Sequence, residues 1–556
     1  MKGPRSRRSD VNILAMSSFL CLFGLVLLVS NVVSIEAAAQ DYTATSLLDE
    51  KEAELNTFVG VIEANARNCD ALKTCSSNTS CSRLACYEYG TQGDANYKCL
   101  GVLSNPVCGT DCNQRNFDYT KSFIRRVDSF NPNIAQTVCT QRTLDDQFRR
   151  SSIGDSTYLF RVFYGSMDGT TRLYPGLDES CTTDYDPRIR PWFKESIYVP
   201  KVVTILIDCG RSMRDKLIGA TNDQETYISK EINAALAVLN TLREDSDYVN
   251  IQCFDRDGIK PPGAKSQRYS SLLYQSFSDN LTQIANGGIT ENPSLINTTD
   301  AIKTAISELT NDASPAPPDY LKVILMFTSG EQYQNLSELN IPGNSSVNVF
   351  VYNFLKTGQT AECNPTIRAS SEEISVQRYD NPLLFLESFY SFLAKIHQSV
   401  MKTNIDFGEQ YADYSGVDNS TLTLSKAAFG PNGELLGVVG IDFFQKKVDQ
   451  QFPNIRFQDI VIAARNHPTF KFDPNALTTT VCFNHTETCP GIQTDVTGFL
   501  CGTKTGNDNI GCCGSCTSKN THRLAKILGG VFGSLAVLVI VFGLCWRWDM
   551  KRNRSF

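Results

Sequence analysis

The central part of the chain alternates between two patterns of apolar residues. Short, continuous apolar runs predict strands that are buried on both faces of a sheet, and they lie at residues 202–208, 248–254, 322–327 and 347–352. Between and after them, apolar residues three or four positions apart predict helices at residues 228–239, 301–309 and 382–396. Strands that alternate with helices in this way are typical of a doubly wound, parallel α/β domain.

On either side of this region the pattern is that of β-strands. Residues 158–164 predict a strand before it. After it, Pro431-Asn432-Gly433 predicts a hairpin turn between strands at 420–426 and 435–441. Nearer the start of the chain, residues 46–66 carry apolar side chains with helical spacing.

Two apolar segments stand near the ends of the chain. The first, at about 11–33, follows basic residues and closes with Ala37-Ala38-Ala39, which is the pattern of a secretory signal peptide; an uncleaved signal anchor is the alternative. The second, at 527–546, carries no charge and has the length of a membrane-spanning helix. Basic residues follow it, which predicts a short cytoplasmic tail and an extracellular N-terminal side.

The cysteines and the glycosylation sequons agree with an extracellular location. Of the 20 cysteines, eight lie between Cys69 and Cys139 and six between Cys482 and Cys516, which predicts disulfide frameworks of undetermined pairing. N-x-S/T sequons predict glycosylation at Asn78, Asn280, Asn297, Asn335, Asn344, Asn419 and Asn484. The net charge of −7 and the lack of a basic stripe argue against a nucleic-acid partner.

The first group of candidate functional residues follows the first buried strand. Ligands of open α/β sheets bind at the carboxyl ends of the strands, and this strand ends in Asp208, with Gly210 and Ser212 just behind it. Thr290 and Ser329 follow in Gly-Ile-Thr and Phe-Thr-Ser-Gly segments. The arrangement resembles the von Willebrand factor A domain, in which D-x-S-x-S, a threonine and a second aspartate form a metal-ion-dependent adhesion site.

The resemblance implies a site for Mg²⁺ or Ca²⁺, because hard cations bind carboxylate and hydroxyl oxygens. In this chain the site is degenerate, since Gly210 replaces the first serine and Ser329 replaces the second aspartate. Thr298 or Thr299 is an alternative to Thr290. The residues therefore support two hypotheses equally: a weak Ca²⁺ site, or a domain that keeps the fold and has lost the cation.

A second group of candidate residues lies on both sides of the central region. Residues 185–193, Tyr-Asp-Pro-Arg-Ile-Arg-Pro-Trp-Phe, stand before it, and Tyr411-Ala-Asp413 and a Gly-Val-Val-Gly-Ile-Asp segment ending at Asp442 stand after it. These segments resemble an extracellular Cache domain. An A domain that interrupts a Cache domain is the arrangement of the voltage-gated calcium channel alpha-2/delta subunit, and the similar motifs cover most of residues 158–450.

The resemblance implies a pocket for a small, free amino acid. Arg190 would bind the carboxylate of the ligand through paired hydrogen bonds, and Asp413 and Asp442 would bind its ammonium group. Aromatic residues would form the walls: Tyr185, Trp192 and Tyr411. From the residues alone, the alternative is that the arginine and the aspartates are buried structural ion pairs.

Together these features predict an α/β fold: a doubly wound, Rossmann-like A domain inserted in an α+β Cache-like domain. The predicted order of segments is a signal peptide at 1–39, a Cys-rich and Cache-like segment at 40–200, the von Willebrand factor A domain at 201–398, the completing Cache-like segment at 399–480, a Cys-rich stalk at 481–523, a transmembrane helix at 524–546 and a cytoplasmic tail at 547–556.

The expected protein is a single-pass type I glycoprotein of the cell membrane that is not an enzyme. The chain has only four histidines and lacks G-x-S-x-G, H-E-x-x-H and phosphate-loop motifs. The resemblance implies a membrane partner such as a calcium channel pore subunit, bound through the A domain. The alternative is an adhesion or matrix-binding receptor, with an extracellular protein as its partner.

Overall fold

The computed structural model contains two large sheets that are flanked by helices. It describes residues 43–67, 99–100, 117–118, 122–125, 141, 144–151, 160–177, 185–217, 225–255, 258–260, 265–285, 298–310, 315–328, 346–354, 362–364, 368–373, 382–400, 406–408, 410–413 and 418–466. The predicted signal peptide, Cys-rich stalk, transmembrane helix and tail lie outside these residues. Within them, no helix combines the length and the apolar character that a membrane span requires.

The predicted helices are present. The described α-helices are α1 (Ala44–Arg67), α2 (Leu144–Arg150), α3 (Pro191–Glu195), α4 (Tyr227–Thr241), α5 (Ser271–Ala285), α6 (Thr298–Thr310), α7 (Glu387–Val400), α8 (Gln445–Gln451) and α9 (Phe457–Arg465). Three 3₁₀ segments lie at Pro187–Ile189, Arg211–Arg214 and Pro382–Leu384. Helix α4 begins at a capping box. The Thr226 hydroxyl accepts a hydrogen bond from the backbone N–H of Ser229, and the Ser229 hydroxyl accepts one from the backbone N–H of Thr226.

The central region forms an α/β sheet. Its strands are β7 (Lys201–Asp208), β8 (Tyr248–Asp255), β9 (Gly258–Lys260), β10 (Gln267–Arg268), β11 (Leu321–Thr328), β12 (Val347–Asn353), β13 (Glu362–Asn364) and β14 (Ala369–Glu373). The order is β10-β8-β7-β11-β12-β14-β13, with β9 also paired to β8. The central five strands are parallel, as predicted. The edges differ from the prediction, because β9, β10 and β13 pair antiparallel to their neighbours.

Helices cover both faces of this sheet, which is the doubly wound arrangement. Successive residues of β7 alternate between the faces: Val203 and Ile205 belong to the core formed with α4 and α7, whereas Val202 and Leu206 belong to the core formed with α6. Because both faces are covered, all eight residues of β7 are buried.

The second sheet is antiparallel and is built from segments on both sides of the α/β region. Its strands are β1 (Cys99–Leu100), β3 (Phe123–Arg125), β4 (Phe160–Ser166), β5 (Thr171–Tyr174), β15 (Asp406–Phe407), β16 (Thr421–Phe429) and β17 (Leu435–Phe444). They follow the order β1-β3-β5-β4-β17-β16-β15, while β2 (Phe117–Asp118) and β6 (Gly176–Leu177) form a separate pair. The pairing of β4 with β17 therefore joins the two segments.

The two sheets share one apolar core. Phe163 and Trp192 from the antiparallel side pack in the same cluster as Val203 and Ile205 of β7 and Phe389 of α7. The opposite face of the antiparallel sheet packs against α1 and α9. The α/β region is thus attached to the antiparallel sheet by buried apolar contacts as well as by the chain.

We expect Gly437→Ala to destabilise the protein. Gly437 lies on β17 with φ +156°, and an added Cβ would stand 2.2 Å from the carbonyl oxygen of Gly165 on β4. Backbone strain and this clash predict a loss of about 2 kcal/mol in the free energy of unfolding, measured by urea denaturation.

Gly60→Ala in α1 is the matched control. Nothing lies within 4 Å of the added Cβ in that helix, so alanine should raise stability by about 0.5–1 kcal/mol. Equal effects of the two substitutions would contradict the close approach of β17 to β4.

Candidate functional site

Three charged side chains meet inside the antiparallel sheet. Arg161 on β4 lies directly opposite Asp442 on β17, and Asp413 reaches the same place from the segment before β16. Arg161 Nε donates to Asp442 Oδ2 over 2.9 Å, and one terminal nitrogen of Arg161 donates to both carboxylates. The side chains are only 6%, 1% and 0% exposed for Arg161, Asp413 and Asp442. The cluster is therefore a buried ion triad.

The charges of the triad depend on one another. Burial by itself would lower the pKa of the Arg161 guanidinium, but the negative charges of Asp413 and Asp442 outweigh this effect and raise that pKa well above its usual value. Burial raises the pKa of the Asp442 carboxyl, and the charge of Arg161 opposes that rise. Without the guanidinium, burial would favour the protonated form of Asp442.

Hydroxyl groups bind the second carboxylate oxygen of Asp442. Thr423 Oγ1 on β16 donates to Asp442 Oδ1 over 2.7 Å, and the Tyr411 hydroxyl donates to the same oxygen over 3.3 Å. The two hydroxyl oxygens are 2.7 Å apart. Burial raises the pKa of Tyr411 well above its usual value, which keeps this phenol a neutral donor. Both oxygens of Asp442 are thus hydrogen-bonded by the protein itself.

Tyr185 and Arg190 form the other side of the cluster. The guanidinium carbon of Arg190 lies 4.3 Å from the centre of the Tyr185 ring, which is a cation–π contact. Burial raises the pKa of Tyr185 to about 12, while the positive charges of Arg190 and Arg161 oppose the rise. Tyr185 therefore lies within electrostatic reach of both arginines. Asp186 caps the start of the 3₁₀ turn at Pro187–Ile189. Arg190 follows that turn and is the N-cap residue of helix α3, so the turn fixes the position of Arg190.

Trp192 lies in the apolar core. Its ring centre is 4.3 Å from that of Phe163, and 2% of the residue is exposed. Its carbonyl oxygen accepts a hydrogen bond from Ser425 on β16 over 3.1 Å. These contacts fix α3 against the antiparallel sheet.

The structure brings together five of the six predicted ligand residues and places the sixth, Trp192, in the core beside them. The five are Tyr185, Arg190, Tyr411, Asp413 and Asp442. Their ligand-binding role stays a prediction. Sequence reasoning missed Arg161, although a signal was present: a charged residue inside the apolar run 158–164 requires a buried partner of opposite charge.

The second candidate cluster lies at the carboxyl end of β7. The Asp208 carboxylate is buried; its Oδ1 accepts from the backbone N–H of Gly210 over 2.9 Å and its Oδ2 accepts from Thr328 Oγ1 over 2.9 Å. Thr328 ends β11, the neighbouring strand. Ser212 lies half-buried in the 3₁₀ segment Arg211–Arg214. Thr290 and Ser329 lie outside the described residues, whereas Thr298 and Thr299, the alternatives to Thr290, are buried at the start of α6.

Two features near Asp208 were absent from the sequence-based site. Glu231 on α4 accepts a hydrogen bond from the backbone N–H of Asp208 over 3.0 Å. Burial, and to a lesser extent the negative charge of Asp208, raises the pKa of Glu231 well above its usual value. A disulfide joins Cys209 to Cys253, which links the carboxyl ends of β7 and β8. An acidic residue between Ile228 and Ile232 on the buried face of a helix was the available signal for Glu231.

The described residues do not by themselves fit a hard divalent cation. They supply one carboxylate, Asp208, whose two oxygens already accept hydrogen bonds, and the hydroxyls of Ser212 and Thr328. Within the described ranges, no group of three or more His, Cys, Asp or Glu side chains is suited to a metal ion. Glu231 contacts the main chain of Asp208 and is completely buried. The missing negative charge is thus not replaced in this part of the chain.

Two of the predicted glycosylation sites can be placed. Asn280 lies exposed on α5, and Asn419 lies exposed in the turn before β16. Both side chains are accessible, as attachment of a glycan requires. The remaining five, Asn78, Asn297, Asn335, Asn344 and Asn484, lie outside the described residues.

Comparison with known proteins gives a partial sequence match to a calcium channel subunit. No protein-family model matches the chain. A stretch of 115 residues is 30% identical to the voltage-dependent calcium channel subunit alpha-2/delta-2 of Homo sapiens. It amounts to 20% of this chain and 9% of that protein, so the chain matches about a tenth of the relative's length.

Solved structures give weaker similarities. The protein BatB of Bacteroides thetaiotaomicron is 20% identical over 28% of this chain and 66% of its own, with a TM-score of 0.21. The mussel byssus proximal thread matrix protein 1, with a zinc-occupied MIDAS motif, is 10% identical over 38% of this chain and 49% of its own, with a TM-score of 0.24. The pilus adhesin SpaC of Lactobacillus rhamnosus GG is 12% identical over 44% of this chain and 39% of its own, with a TM-score of 0.26. Scores this low carry no argument about function.

We expect the full-length protein to show no saturable heat when CaCl₂ or MgCl₂ is titrated into it by calorimetry. Among the described residues, the predicted cation position offers a single carboxylate, that of Asp208, and ligand charge supplies much of the binding free energy of a hard cation. A saturable heat that Ser212→Ala abolishes would contradict this expectation.

The double substitution Gly210→Ser with Ser329→Asp is the matched gain-of-function control. It restores the missing hydroxyl of the D-x-S-x-S pattern at 210 and the carboxylate of the second aspartate at 329. It should therefore acquire a cation-dependent heat and a higher melting temperature.

Proposed function

We infer that this chain is a non-enzymatic cell-surface protein that binds a membrane partner through the carboxyl edge of its parallel sheet, in the manner of a calcium channel alpha-2/delta subunit. The observation that carries this proposal is the 115-residue segment with 30% identity to alpha-2/delta-2. Since the match covers 9% of that protein, the channel partner is itself part of the proposal.

The carboxyl edge of the parallel sheet is suited to bind a partner. Open α/β sheets bind their ligands there, and in this chain the edge carries Asp208, the half-buried Ser212 and the exposed Asp215. The Cys209–Cys253 disulfide ties two neighbouring strand ends together at this edge. A surface that is held rigid before binding loses less conformational entropy when the partner docks.

The proposal includes the predicted membrane topology. A signal peptide at 1–39, a transmembrane helix at 524–546 and glycans on exposed sequons such as Asn280 and Asn419 would place both sheets outside the cell. The Cys209–Cys253 disulfide agrees with an oxidising compartment. The antiparallel sheet and its helices would then be the Cache-like domain that the A domain interrupts.

An enzymatic role is not proposed. Among the described residues, the histidine of α7, His397, is 6% exposed, and its Nδ1 lies 2.7 Å from the carbonyl oxygen of Tyr198. That geometry holds α7 against the segment before β7 and does not present a base to a nucleophile. Neither a cation nor an amino-acid ligand forms part of the proposal. Asp208 is hydrogen-bonded by the protein, and Arg161 already contacts both Asp413 and Asp442.

Co-purification of the tagged full-length chain from its native membrane tests the proposal. We expect a calcium channel pore subunit among the proteins identified by mass spectrometry. Ser212→Arg at the carboxyl edge should lower its recovery about tenfold, because a charged side chain in a binding surface must be desolvated without a partner.

Ser276→Arg is the matched control, since Ser276 is exposed on α5, a helix that begins beside the loop 244–247 at the amino end of β8. It should leave the recovery of the pore subunit unchanged. Recovery of matrix or adhesion proteins without a pore subunit would favour the alternative, an adhesion receptor. Equal recovery with both variants would place the binding surface elsewhere on the molecule.

A further inference from the structure

The guanidinium of Arg161 occupies the place where Asp413 and Asp442 would receive a cationic ligand. Its Nε and one terminal nitrogen donate to Asp442, and the terminal nitrogen also donates to Asp413. An ammonium group that binds two carboxylates would make the same set of contacts, since both groups are positively charged hydrogen-bond donors. The two predicted ammonium acceptors are thus engaged by a side chain of the protein.

The backbone fixes Arg161 in this position. Arg161 and Asp442 are register partners in the β4–β17 pair, so their side chains leave the sheet on the same face. The guanidinium carbon also lies 5.1 Å from the centre of the Phe444 ring. A rotation of Arg161 away from the cluster would leave two buried carboxylates without this counter-charge, which is strongly unfavourable.

Space and charge both oppose a second cation. The oxygens of Asp442 accept from Arg161 on one side and from Thr423 and Tyr411 on the other. A ligand ammonium would have to approach the same carboxylates beside a guanidinium of like charge, in a buried site where water does not screen the repulsion. Arg161 balances one of the two negative charges, and Arg190 supplies a second positive charge nearby.

We propose that Arg161 is a built-in occupant of the cation position formed by Asp413 and Asp442, and that it is the residue that prevents this cluster from accepting the ammonium group of a free amino acid. Arg161 is thus a specificity-determining residue. The proposal is independent of partner binding at the carboxyl edge of the parallel sheet, because the two places lie on different sheets.

Chemical rescue of Arg161→Ala in the purified full-length chain tests this assignment. The substitution opens the cation position and should lower the melting temperature. Methylguanidinium at about 10 mM should then raise the melting temperature by about 2 °C or more in a saturable manner, because a ligand that binds only the folded state stabilises it. Leucine and ethylammonium should act in the same way, although more weakly. The wild-type protein should respond to none of the three.

Four controls separate this effect from nonspecific stabilisation. Urea has a similar shape without the charge, and NaCl supplies equal ionic strength; neither should rescue Arg161→Ala. The double variant Arg161→Ala with Asp442→Asn removes the carboxylate that the probe binds, so its rescue should be lost. Arg161→Lys keeps a cation in place and should fold without responding to the probes.

Binding of leucine to the wild-type protein, measured by calorimetry and lost in Asp442→Asn, would overturn the proposal. So would an Arg161→Ala protein that folds, loses stability and gains nothing from methylguanidinium. If Arg161→Ala does not fold, Arg161→Gln, which is shorter than arginine but keeps the stem to Cδ and an N–H donor without the charge, replaces it in the rescue. The leucine titration of the wild-type protein decides the question even if neither variant folds.

Discussion

The pairing of β4 with β17 is the constraint on which the rest of the structure depends. The two strands come from segments 281 residues apart at the Arg161–Asp442 contact, and between them the chain forms the entire parallel sheet. Their register sends Phe160 and Val162 toward α1 and α9, and Arg161 and Phe163 toward the other face. A slip of one residue would exchange the faces and place the arginine in an apolar core.

This pairing also couples the two sheets energetically. A long loop is costly to close as a flexible chain, but the α/β region brings its ends together when it folds. In return, Trp192 and Phe163 of the antiparallel side complete the core that α4 and α7 cover. The two sheets therefore share apolar area, and neither buries its full inner face alone. Folding of the inserted region and closure of the antiparallel sheet should stabilise each other.

The two candidate sites have the same physical character. In each, the carboxylate that the resemblance assigns to a ligand accepts hydrogen bonds from the protein itself. Asp208 is bound by Thr328 and by the backbone of Gly210, and Asp442 is bound by Arg161, Thr423 and Tyr411. Buried carboxylates require such donors whenever no ligand supplies them. This chain surrounds the acidic residues that it retains, Asp208 and Asp442, with its own donors.

Local pattern alone determined much of the architecture. The apolar runs predicted β7, β8, β11 and β12, and the helical spacing predicted α1, α4 and α6, because periodicity reports which faces are buried. The same logic placed Asp208 at a strand end. The clustering of Tyr185, Arg190, Tyr411, Asp413 and Asp442 agrees with what the ordered set of motifs implied, since the predicted residues share one place in the fold.

Only the tertiary structure decided which groups these residues contact. The partner of Asp442 is Arg161 rather than Arg190, the partners of Asp208 are Thr328 and Gly210, and Cys209 is bonded to Cys253. The short antiparallel edges of the parallel sheet also escaped prediction, because strands of two or three residues carry no periodicity. Each of these contacts joins residues that are distant in sequence or follows from strand register. Local spacing shows that a charged residue in an apolar strand needs a partner, but the register of two distant strands chooses that partner.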